Sequence, residues 1–245
     1  MKVLNIISLV LLTGVILFAD SNHYKRYGIR SGKIDYKISG SGNIMGVETK
    51  TVGIKRVLFD AYGAREISEV NRIQKTTMDG KITADKSHQI TYINGAIIYH
   101  IDMEKERIVR MQNPALMLSA IESRTPRQFA EETMKKMGGK KIGTEMVLGY
   151  RCDVWSIMGA RQYLYKGIAL KIESDTMGMK STEIATKVKF DIQLTDKNFK
   201  LPKFPVYNET GEKLNRKKLK EMDRKESSNT LRVDKNTTKT VAVEK

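Results

Sequence analysis

Cysteine is almost missing from this chain: Cys152 is the only one in 245 residues. A single thiol excludes an internal disulfide and any cysteine-built metal cage, so packing alone must hold the fold. Histidine is nearly as scarce. His23, His88 and His100 lack the short spacing that sets two imidazoles on one helix face, and each reads as a surface or strand residue. No serine sits in a G-x-S-x-G elbow, and "MGGKKIG" lacks the P-loop spacing. Asp60, Asp102 and Asp153 are not spaced as an acid/base pair. These absences point away from an enzyme, a metal centre or a cofactor. Acidic residues are also in deficit, with 28 Asp and Glu against 44 Lys and Arg and a net charge of +16.

What is present starts at the N-terminus. Residues 1–19, MKVLNIISLVLLTGVILFA, set Lys2 before an apolar run from about Ile6 to Phe18 and end on Ala19. This is the pattern of a cleavable signal peptide. Ser8, Thr13 and Gly14 interrupt a segment at the lower end of the roughly 17 to 25 residues that a membrane helix needs, which disfavours an anchor. A secreted, periplasmic chain with this charge favours an anionic membrane, lipopolysaccharide or an acidic protein, and makes nucleic acid a poor partner.

From Lys33 to Val206 the pattern is short strands with one helical interlude. "KIDYKIS" alternates Ile34, Tyr36 and Ile38 with Lys33, Asp35 and Lys37, the period of a half-solvated strand. "KRVLFDAYGAREISEV" reads as two strands around a turn at residues 61–64, and Asn94-Gly95 as the centre of a type I′ hairpin. Tyr150, Cys152 and Val154 alternate with Arg151, Asp153 and Trp155, which sends the lone cysteine and the lone tryptophan to opposite faces of a strand. "QYLYKGIALKIE" turns at Lys166-Gly167. The interlude begins at Asn113-Pro114, with Leu116, Leu118 and Ile121 as core candidates. A second helix follows, capped by Thr125 and Pro126, stopped by Gly138-Gly139, and carrying Phe129, Met134 and Met137. Strands, helices, then strands again predict an α+β domain on an antiparallel sheet.

The succession "GYRCDVW", "YLYKGIALKIE", "ATKVKFDI" and "FKLP", with "VLFDAYGAREISE" and "NGAIIYHID" before it, resembles a family of secreted bacterial domains of unknown function that are similar to the Lol-type outer-membrane lipoprotein carriers. The resemblance spans about residues 27–205. It implies a strongly curved antiparallel sheet, an unclosed half-barrel, with helices packed on its concave face and a hydrophobic cavity between the two. On that footing Met117, Phe129, Met134 and Met137 are the first candidates for contact with a hydrophobic or lipid-like ligand, plain core packing being the alternative. Thirteen methionines also raise a Cu(I) site, but Met177 and Met179 form a close pair without neighbouring histidines.

Three segments result: a signal peptide over 1–19, a half-barrel over 20–205, and a basic, mostly disordered tail over 206–245. That tail holds eleven Lys or Arg and seven Asp or Glu. It contains "DKNTT", an extended N-glycosylation acceptor at Asn236. Two functions stay open from the residues alone. One is a non-catalytic periplasmic carrier of a lipid-like ligand, and the other is an envelope interaction protein with a filled core whose basic tail docks on a partner or anionic surface.

Overall fold

A computed structural model describes residues 25–113, 132–215, 217–219 and 221–222. The expected signal peptide, most of the helical interlude with Met117 and Phe129, and Asn236 lie outside the described residues. Strands β1 (Gly32–Ile44), β2 (Val47–Asp60), β3 (Arg65–Met78) and β4 (Lys81–Asn94) are long. Then come β5 (Ile97–Asp102) and β6 (Arg107–Gln112). After the helical region follow β7 (Lys140–Val147), β8 (Tyr150–Ile157), β9 (Ala160–Tyr165), β10 (Ile168–Thr176) and β11 (Met179–Phe190). The short β12 (Val206–Tyr207) and β13 (Lys213–Leu214) complete one unclosed sheet. Its order is β13-β12-β6-β5-β4-β3-β2-β1-β11-β10-β9-β8-β7, antiparallel throughout except where β12 runs parallel to β6.

Turn chemistry explains why the chain doubles back so often. Six hairpins close through two residues of the form X-Gly: Met45-Gly46, Asp79-Gly80, Leu148-Gly149, Met158-Gly159, Lys166-Gly167 and Met177-Gly178, both residues at positive φ in each. That is the type I′ turn, whose twist matches the strands it joins. Asn94-Gly95 behaves differently from the expectation. Asn94 still pairs with Ile97, so the turn centre is Gly95-Ala96, and of these only Gly95 has positive φ. The hairpin forms one residue later than expected, with Gly at the first central position, as a type II′ turn requires.

The two halves of the sheet bury opposite faces. Around β1, β2 and β7–β11 the core lies on the face of Tyr36: Ile34, Phe59, Leu170 and Cys152 are fully buried there with Val154 and Tyr163. The sheet curls toward this face. The Tyr36 hydroxyl donates to the Ala169 carbonyl at 3.0 Å, reaching over β11 to a strand two positions away, roughly 9 to 10 Å on a flat sheet. Residues 25–31 cross the same face, where Tyr27 meets Phe59 edge-on at 4.8 Å. Around β3–β6 the opposite face, that of Tyr92, is the packed one. Ile101 and Ile108 are buried on it, and Phe199, from the 3-10 turn Asp196–Phe199, lies 6.2 Å from the Tyr92 ring.

The helices expected over the concave face are not what the described residues show there. Residues 132–136 are helical, and Met134 packs against Trp155, Ile157 and Leu164, on the side of β8 away from Cys152. The Tyr36-face core over β7–β11 is already filled by sheet side chains and residues 25–31, so this turn seats on the other side.

The folded part also runs past residue 205, where the tail was expected to begin. β12 pairs with β6 through Val206 opposite Ile108, β13 pairs with β12, and Leu214 is 5% exposed. Composition undercounted this stretch because two apolar residues in a basic segment suffice once an edge strand is there to receive them. Burying Leu214 is worth about 2 kcal/mol. A chain ending at Asn215 will melt like the full-length protein, whereas one ending at Pro205 will melt roughly 4 to 8 °C lower by calorimetry; equal melting of the two would contradict this boundary.

Candidate functional site

Because the two halves of the sheet pack mainly on different faces, the Tyr36 face of β3–β6 beyond Glu66 and Ile93, which are buried next to Phe59, is left as a half-buried floor. Cross-strand register sets its rows. Ser68, Thr91, His100 and Val109 stand in one row, and Glu66, Ile93, Ile98 and Met111 in the next. Val70 sits on the same face beside Lys55 of β2. The floor mixes aliphatic side chains with a few hydroxyls and one imidazole, the lining of a site for a largely apolar ligand with a polar end.

Two charged groups border it. On one side Arg26 donates to Glu66 at 3.3 Å with both side chains buried, and the Tyr27 hydroxyl donates to the same carboxylate at 2.5 Å. This pair pins residues 25–31 to β3. On the other side the Lys55 ammonium donates to Glu183 Oε1 at 2.7 Å and lies 5.1 Å over the Tyr36 ring. Glu183 is 6% exposed, and its Oε2 has no hydrogen-bond partner; the same holds for the buried Nε of Arg72. Burial pulls the Arg72 guanidinium down and Glu183 partly offsets it. Burial, followed by the Glu183 charge, raises the Tyr36 phenol. A polar headgroup reaching this border would meet one unsatisfied acceptor and one unsatisfied donor.

His100 is the titratable group inside the floor. Its Nδ1 lies 3.3 Å from Thr91 Oγ1, and burial holds the imidazole below its ordinary value. His88 is instead at a flank, 2.8 Å from Glu69. Cys152 is remote from both and fully buried, with its thiol pushed up to about 11 by burial, so it is a core residue and not a nucleophile. Cys152 and Trp155 do occupy opposite faces.

Of the sequence candidates, Met134 is a buried packing residue beside Trp155 and Met137 is 40% exposed, so the described two do not meet at the floor. The residues that do, Ser68, Val70, Thr91, His100 and Val109, escaped notice because their alternation reads as ordinary strand. Only the burial of the other face over β3–β6 singles them out. Among the described residues no group of three metal-ligating side chains occurs.

Solved structures are similar to this chain over most of its length. The expected resemblance to lipoprotein-sorting domains is met. A putative outer membrane lipoprotein-sorting protein domain from Vibrio parahaemolyticus matches at 11% identity and TM-score 0.28, over 71% of this chain and 91% of that one. An uncharacterized conserved protein from Thermus thermophilus matches at 11% identity and TM-score 0.39, over 71% and 90%. A DUF1329 family protein from Desulfovibrio piger matches at 10% identity and TM-score 0.30, again over 71% and 90%. No family model matches the chain, and no curated protein does either. At these TM-scores the site has to be read from this chain's own residues.

The depressed His100 sets a direction for stability. Its folded value lies below the unfolded one, so the unfolded chain binds the proton first as pH falls, and stability is lost below the unfolded value near 6.5. Urea midpoints will therefore drop between pH 7 and pH 5.5 in the wild type and drop less in His100→Gln. An unchanged slope in the variant would place the imidazole in water.

Proposed function

We propose that the protein is a non-catalytic binding or carrier protein of the bacterial envelope, periplasmic after loss of residues 1–19, that holds a hydrophobic or lipid-like ligand. The observation that carries this reading is the half-buried floor of Val70, Thr91, Ile98, His100 and Val109 on the one face of β3–β6 that is not packed against the C-terminal segment. Apolar side chains supply the affinity for an acyl chain or ring system, at about 25 cal/mol per Å² removed from water. The free acceptor of Glu183 and donor of Arg72 at its edge suit a polar end. A basic exterior favours approach to an anionic membrane or lipopolysaccharide. The scarcity of paired bases and nucleophiles supports a protein that carries without reacting.

A second reading, an envelope interaction protein with a filled core, is favoured by the tight packing of Ile34, Phe59 and Leu170 across β1, β2 and β10.

Protein purified from its native host separates the two. Organic extracts analysed by mass spectrometry will contain lipid near one mole per mole of protein. Val70→Arg with Val109→Arg will lose that lipid and the response to a fluorescent fatty acid while keeping a cooperative melt. Empty extracts and a silent probe with the wild-type protein would overturn the carrier reading and leave the second.

A further inference from the structure

The face of the sheet away from Tyr36 carries no ligand floor over β11, β1, β2 and the far halves of β3 and β4 (residues 71–78 and 81–88), beyond the ends where Phe199 lies against Tyr92, yet it is unusual for an exposed antiparallel surface. Its residues follow from the register. Ser39 faces Val52, which faces Ile73, which faces Lys86. One row on, Ser41 faces Lys50 and Lys180, and Lys50 faces Lys75. Lys37 lies between Ile54 and Ile184.

Three features of this face stand out together. Val52, Ile54, Ile73 and Ile82 are exposed at 57%, 62%, 38% and 68%. Lys37, Lys50, Lys75, Lys86 and Lys180 surround them, all exposed. Acidic groups are few and partly spent: Asp35 accepts from Arg56 at 2.8 Å, Glu69 lies against His88 and Asp175 lies 3.7 Å from Lys180, leaving Glu48. Like charges are also set directly opposite one another, Lys50 on Lys75 and Lys33 on Lys189. Such pairs work against the sheet, so stability does not account for them.

The rim where this face ends adds a fourth feature. The hairpin tips of β1-β2, β8-β9 and β10-β11 share that edge, and each presents a methionine: Met45, Met158 and Met177 are 98%, 75% and 86% exposed. Methionine side chains are flexible and polarizable, fit to enter irregular apolar surroundings.

We propose that this face docks flat on the surface of a bilayer containing anionic phospholipid. The lysines pair with headgroup phosphates, the interleaved aliphatic side chains reach the headgroup and acyl boundary, and the methionine tips enter at one edge. Charge complementarity commits the face to an anionic surface, and aliphatic groups spaced between the lysines distinguish a lipid interface from a purely polar one. The proposal stands on this face alone and does not require that the floor bind a ligand.

Protein without residues 1–19 is sedimented with vesicles of phosphatidylcholine and phosphatidylglycerol at 7:3, and with pure phosphatidylcholine, across a salt series. Binding will need the anionic lipid and will weaken with salt. Lys50→Ser, Lys75→Ser and Lys86→Ser combined will reduce it by roughly 100-fold, at about five-fold per lysine, with an unchanged or higher melting temperature. A charge-matched control, Lys25→Ser with Lys140→Ser and Lys166→Ser, will bind as the wild type does. Val52→Ser with Ile54→Ser will weaken binding but leave its salt slope intact. Equal losses in the face variant and the control would overturn the proposal in favour of bulk charge. Absence of vesicle binding, including a case in which the face captures an acidic protein instead, would overturn it as well.

Discussion

A strand side chain has two choices, and along an unbroken strand the choice alternates. For a sheet thirteen strands wide this means that whatever packs on one face leaves the other to be explained. Here the packed face changes between the halves: that of Tyr36 where β1, β2 and β7–β11 curl together, that of Tyr92 where Phe199 lies against β4 and β12 and β13 extend the sheet beyond β6. The switch creates two surfaces without a core duty. One is the half-buried floor on the Tyr36 face, and the other is the lysine and aliphatic face on the reverse.

Two interactions keep the switch in place. The Tyr36 hydroxyl on the Ala169 carbonyl draws β10 toward β1, and the buried Arg26–Glu66 pair, with Tyr27, fastens the N-terminal segment over β2 and β3. A buried ion pair of this kind adds little net stability against an apolar substitute, yet removing one partner leaves an uncompensated charge. Its role is therefore positional. It fixes where the core on the Tyr36 face stops, and so where the floor begins.

Much of the fold was legible from residues because hairpins are local. "YKGI" could be read as a turn, and Lys166-Gly167 is one; Cys152 and Trp155 could be sent apart by alternation, and they are apart. Asn94-Gly95 went astray by one position because register, which depends on what Ile97 pairs with, decides which two residues are central. Leu214 was lost to a tail since a lone leucine among lysines carries no signal until β6 offers an edge. The site residues were the least legible. Thr91, His100 and Val109 alternate like any strand, and Lys50 opposite Lys75 emerges only once β2 and β3 are placed in register.

Hydroxyl-radical footprinting of the free protein, read by mass spectrometry, measures whether the two halves of the sheet bury opposite faces. Met45, Met158 and Met177 will be heavily labelled together with Val52 and Ile54, and Phe59, Leu170, Trp155 and Phe199 will be protected. Labelling of Phe199 at the level of Met45, or protection of Val52 and Ile54, would mean that the same face is packed across the whole sheet and would contradict the change of packed face between the halves.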